Sequence, residues 1–108
     1  MYLFIELAPF SRAREGVLSD GDLSALQQSH LASNPDAGDV VPGSGGVRKL
    51  RWSRPGSGKR GGVRVLYYVQ DSHGRIWLLT LYAKSAQENI APATLRALRR
   101  MVDHAEIE

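Results

Sequence analysis

The apolar and polar positions along the chain fall into blocks of two different periods. Tyr2–Leu7 (YLFIEL) is short, apolar and aromatic, which predicts a strand. Ser11–Gly16 suits a short helical piece. Ser19–Ser33 predicts a longer helix: Ser19 is a good N-cap, and Asp22 three residues on completes a capping pattern. Leu18 and Leu23 are placed as a hydrophobic staple around that cap, and Leu23, Leu26 and His30 fall on one 3.6-period face. Asn34-Pro35 stops the helix, because a residue before proline avoids the helical region. Asp36–Gly46 reads as a loop.

Val47–Ser53 predicts a strand with Leu50 and Trp52 on one face and Lys49 and Arg51 on the other. Arg54–Gly62 (RPGSGKRGG) predicts a mobile basic hairpin loop. Val63–Gln70 and Arg75–Ala83 are the strongest strand signals, and the Asp71–Gly74 turn between them predicts an antiparallel hairpin. A last helix is expected from Pro92 to Ala105, with Leu95, Leu98 and Val102 as its apolar stripe. The expected fold is one α+β domain spanning residues 1–108, with helices on one face of the sheet and the other face partly free.

Composition adds little until the charge is divided. The chain has 108 residues, room for one domain, and no cysteine, which excludes disulfides and thiolate metal sites. No apolar run reaches the ~20 residues of a membrane helix. Met1–Leu7 lacks the pattern of a signal peptide, so a soluble, cytoplasmic protein without membrane partners is expected. The net charge is +3 overall, but residues 1–39 sum to −4, residues 40–70 to +7, and residues 71–108 to zero. The central block holds Arg48, Lys49, Arg51, Arg54, Lys59, Arg60 and Arg64 with no acid. Such a block suits a polyanionic partner, although a solvated basic face gives the same composition.

The candidate chemistry lies in that block. Attack of an RNA 2′-hydroxyl on its phosphate needs a proton acceptor, positive charge at the phosphorane and a donor for the leaving 5′ oxygen. Arg64 interrupts an apolar strand, where a charge is costly unless it faces a cleft or partner. An edge arginine facing water is the plain alternative. Tyr82 and Lys84, two apart at the end of the last strand, are expected on one face.

Gly56-Ser57-Gly58-Lys59 is not a phosphate-binding loop. Ser53 stands where the first glycine belongs, Arg60 where the magnesium hydroxyl belongs, and a strand follows instead of a helix. His30, His73 and His104 show no metal or catalytic spacing and read as structural histidines. No carboxylate cluster accompanies the basic block, so no metal or cofactor is expected. The sheet aromatics Trp52, Tyr67, Tyr68 and Trp77 read mainly as core.

In combination, three stretches resemble toxins of the RelE/ParE superfamily, nearest to its HigB-type branch: Gly45–Trp52 (GGVRKLRW), Gly58–Tyr68 (GKRGGVRVLYY) and Leu78–Lys84 (LLTLYAK). Asn34-Pro35, Gly38-Asp39-Val40 and Pro42–Gly46 add to the likeness, which covers nearly the whole chain. The resemblance implies an antiparallel sheet flanked by N- and C-terminal helices. It implies a type II toxin–antitoxin toxin acting as a ribosome-dependent endoribonuclease, which cuts mRNA in the decoding site and leaves a 2′,3′-cyclic phosphate. It also implies a cognate helix-turn-helix antitoxin of the HigA kind.

By the same resemblance, Arg64 stabilises the phosphorane and Lys84 and Tyr82 sit at the reacting phosphate. Lys49 and Arg51 contact the substrate or transfer a proton. Lys59 and Arg60 hold messenger or ribosomal RNA, and Arg48 and Arg54 extend that RNA-binding set as part of the basic block. Some relatives use histidine near the site, but none falls in the matching strands here. Two other functions suit the same chain: a ParE-like inhibitor of DNA gyrase, and an RNA-binding module without catalysis.

Overall fold

The computed structural model describes residues 1–54, 62–86 and 89–106. Strand β1 (Leu3–Glu6) leads into helix α1 (Ala8–Ala13). Helix α2 (Asp20–Ser24) continues directly into a π-helical segment (Ala25–Leu31). Strands β2 (Asp39–Val40), β3 (Arg48–Trp52), β4 (Val63–Gln70) and β5 (Arg75–Ala83) follow, and helix α3 (Pro92–Glu106) closes the chain. The sheet order is β1-β5-β4-β3-β2.

Strands β2 to β5 pair antiparallel, while β1 joins β5 in parallel, so the sheet is mixed. The two strongest strands form with the predicted limits. Asp36–Gly46 is not all loop, because Asp39 and Val40 pair with Lys49 and Arg48 as a short edge strand.

The expectation that helices cover only one sheet face is corrected, because helices pack on both. Phe10, Leu18, Leu26 and Leu31 pack on one face against Leu50, Val63, Val65, Tyr67, Ile76, Leu78 and Leu81. Leu95, Leu98 and Val102 of α3 pack on the other, against Leu66, Trp77, Leu79 and Tyr82. Strands β4 and β5 are nearly continuous apolar runs, and a strand apolar on both sides requires cover on both sides. Removing that area from water is the main stabilising term of the fold.

The cap of α2 forms as the sequence predicts. The Asp22 N–H donates to Ser19 Oγ at 3.0 Å, and the Ser19 N–H donates to Asp22 Oδ2 at 3.0 Å. Beyond it the 3.6-residue period fails. Leu26 and Leu31, five apart, are both fully buried, whereas His30 is only half-buried. The wider π turn carries a five-residue spacing on one face, which a simple helical wheel misses.

Candidate active site

The strand register builds the site. Arg51 on β3 lies directly opposite Arg64 on β4, and Arg64 lies directly opposite Tyr82 on β5. Opposed residues in antiparallel strands point to the same face. Arg51, Arg64 and Tyr82 therefore form one row across three strands, on the face that α3 partly covers. Arg64 is only 8% exposed and Tyr82 7%, while Arg51 is exposed. Like charges placed opposite each other cost stability, and an anion held between them removes that cost.

A bulge brings Tyr82 to this row. The β4–β5 pairing shifts so that Leu66 opposes Thr80 while Tyr67 opposes Leu78, leaving Leu79 as the extra residue. Before the shift the odd-numbered Trp77 faces α3; after it the even-numbered Tyr82 does. Unbroken alternation would have put Tyr82 beside Leu78 in the opposite core. A bulge re-aims side chains in this way.

Lys49 lies two residues from Arg51 on the same face of β3, and its Nζ donates to Asn89 Oδ1 at 3.1 Å. With Val41, Leu66, Tyr82, Ile90 and Leu95 among others, it lines a cleft of about 300 Å³ between the sheet and the start of α3. A second depression of about 430 Å³ lies beside Ala37, Asp39, Lys49, Leu50 and Arg51. Burial raises the Tyr82 phenol above its ordinary pKa, and the nearby Arg64 guanidinium opposes that rise. At neutral pH Tyr82 is therefore a proton donor, not a phenolate.

The other predicted residues divide. Lys84 follows the end of β5, with its backbone N–H on the Gly62 carbonyl at 3.2 Å and its side chain exposed. Arg48 is not brought into the row. It opposes Tyr67, whose side chain belongs to the other core, donates to the Gly38 carbonyl at 2.7 Å and pairs with Asp36 at 3.3 Å. Arg54 donates to the Val17 carbonyl at 2.9 Å, tying the end of the β3 strand to the segment before α2. Lys59 and Arg60 lie outside the described residues, as does most of the expected basic hairpin loop.

Among the described residues, no three His, Cys, Asp or Glu side chains are grouped to hold a metal ion. None of the three histidines lies on β3, β4 or β5. Tyr68 is not available to stack a base from outside, because the Arg99 guanidinium covers its ring at 3.9 Å and also bonds its hydroxyl at 3.0 Å. Sequence reading missed Asn89. Its one signal was its position just before the last helix.

The chain is thus an α+β domain whose mixed sheet carries helices on both faces and a cationic row on the face that α3 partly covers. A family model described as the RelE toxin of the RelE/RelB toxin–antitoxin system matches residues 8–107, and the chain belongs to that family. The free state of E. coli toxin RelE, solved as a double-arginine variant, shares the fold. It matches with a TM-score of 0.54 and 17% sequence identity, covering 91% of this chain and 96% of that one. Among the described residues no helix is long and apolar enough to cross a membrane.

Proposed function

We propose that this toxin is a ribosome-dependent mRNA endonuclease of the HigB-like kind, acting in the cytoplasm without a metal ion. The observation that carries the reading is the row of Arg51, Arg64 and Tyr82, two cations and a protonated phenol on one partly enclosed face. In the reaction, the RNA 2′-oxygen attacks its own phosphorus as its proton passes to solvent water. The P–O5′ bond then breaks, giving a 2′,3′-cyclic phosphate and a 5′-hydroxyl. Arg64 holds the non-bridging oxygens as charge grows on them, where a preorganised cation in a dry site is worth most. Tyr82 gives a proton or a hydrogen bond to the departing 5′ oxygen, a role suited to a phenol kept neutral by burial. Arg51 and Lys84 hold the flanking phosphates, and Lys49 reaches the 2′-hydroxyl side of the site. Lys59 and Arg60 extend the contact to messenger or ribosomal RNA.

The neutralising partner on this reading is a helix-turn-helix antitoxin of the HigA kind, whose acidic segment lies over the +7 block of residues 40–70. The test is to add the purified toxin to ribosomes carrying a defined mRNA and map the new 5′ ends. Cuts should sit at a fixed position within the decoding-site codon. Arg64→Ala should lower the cutting rate by about a hundredfold to a thousandfold. Intact mRNA together with inhibition of DNA supercoiling would instead identify a gyrase poison.

A further inference from the structure

We propose that Asn89 is a positioning residue that holds Lys49 toward the cationic row and keeps it off the carboxylate of Asp39. The hold itself is a matter of geometry; its effect on cutting rests on the nuclease reading.

Strand register gives Lys49 a natural partner. Asp39 on β2 lies directly opposite it. Opposed residues of an antiparallel pair share a face, with Cβ atoms about 5 Å apart, and opposite charges there attract. Both residues also line the depression that Arg51 borders. A cross-strand ion pair between Lys49 and Asp39 is thus the arrangement that register favours. The fold does not adopt it. Among the described residues no ion pair joins the two. The Lys49 Nζ donates instead to Asn89 Oδ1 at 3.1 Å, forty residues on in the chain. Exposed ion pairs are weak, so a neutral acceptor in the right place suffices to win the ammonium.

The choice of partner sets where the charge points. Asp39 belongs to the edge strand, so a lysine paired with it turns away from β4 and β5. Asn89 stands with Lys49 and Tyr82 in the lining of the cleft between the sheet and the start of α3. Held there, Lys49 lies on the same side as the phenol, and two residues of strand, about 7 Å, from Arg51.

The choice also sets how much charge is left. A carboxylate partner cancels the lysine charge, and an RNA phosphate must break that pair before it can use the cation. An amide oxygen accepts the hydrogen bond and leaves the full positive charge in place. Asn89 therefore fixes Lys49 without neutralising it.

The experiment compares the unaltered toxin with Asn89→Ala, Asp39→Asn and the two combined, all changes at exposed residues. Cutting of ribosome-bound mRNA is followed in single turnover at saturating toxin. Asn89→Ala should cut about tenfold more slowly, because a loosened group loses its alignment. Asp39→Asn alone should stay within about twofold of the unaltered rate. Added to Asn89→Ala, it should recover most of the lost rate, since the competing carboxylate is gone. A merely structural role for Asn89 gives no such recovery. Unaltered cutting by Asn89→Ala, equal loss in the single and combined variants, or a large loss on Asp39→Asn alone overturns the proposal.

A second readout needs no cutting. The carboxyl carbon resonance of Asp39, followed by NMR at fixed pH, should move on Asn89→Ala as the ammonium swings over to it. In a Lys49→Ala background the same Asn89→Ala change should leave it still. A resonance that ignores Asn89, or responds equally without Lys49, refutes the hold while leaving the nuclease reading intact. The expected response in a toxin that never cuts mRNA upholds the hold and refutes the nuclease reading.

Discussion

Tyr67 shows how much of this fold hangs on single polar atoms. Its hydroxyl donates to the Pro35 carbonyl at 2.7 Å and accepts from the Gly38 N–H at 2.8 Å, joining the loop before β2 to the centre of the sheet. A Cβ added at Gly38 would stand 2.9 Å from both the Lys49 carbonyl oxygen and the Tyr67 ring, so only glycine lets the loop come this close. Tyr67→Phe would leave a buried N–H unsatisfied and should cost about 1–3 kcal/mol in chemical denaturation. Burial raises the Tyr67 phenol above its ordinary pKa, with the Gly38 N–H and Arg48 opposing the rise. A raised folded-state pKa means that the stabilisation is complete below the unfolded tyrosine value and is lost as pH rises through the folded one. The unaltered protein should therefore lose stability in the alkaline range above ordinary tyrosine ionisation, and Tyr67→Phe should weaken that loss. At this scale the sequence spoke clearly for Arg64, a charge in an apolar strand. It was silent on Arg48 and Arg54, because composition alone cannot distinguish an arginine that meets RNA from one that meets a backbone carbonyl.

At the scale of elements, regular periods were legible and departures from them were not. Strands β4 and β5 follow from their apolar, β-branched and aromatic runs and the apolar stripe of α3 from 3.6-residue spacing, and all three form as those patterns predict. The π-helical segment and the β5 bulge each insert one residue into a regular repeat. Such insertions are set by how an element fits its neighbours, so the local pattern carries little trace of them. The first puts Leu31 into the core in place of His30; the second turns Tyr82 toward Arg64. If the π turn places Leu31 as described, Leu31→Ala should destabilise the protein by about 2–5 kcal/mol, while His30→Ala should cost far less. Equal, small effects in thermal or chemical unfolding would contradict that packing.

The whole molecule separates its charge as it separates its faces. The acidic first third supplies α1 and α2 on one side of the sheet, while β3 and β4 carry the cationic row toward α3 on the other. The charge division was visible in the sequence, but the convergence of Arg51, Arg64 and Tyr82 was not, since it depends on strand register and on the bulge. The hydrogen bond between Lys49 and Asn89 was also out of reach, because residues 49 and 89 meet only through the fold.

Convergence on one phosphate is best measured by a double-mutant cycle of Arg64→Ala and Tyr82→Phe, read as single-turnover cleavage of ribosome-bound mRNA. Groups that act together on one transition state lose their effect together. The double variant should be only slightly slower than Arg64→Ala alone. Losses that multiply in full, as for two independent sites, would contradict a shared phosphate.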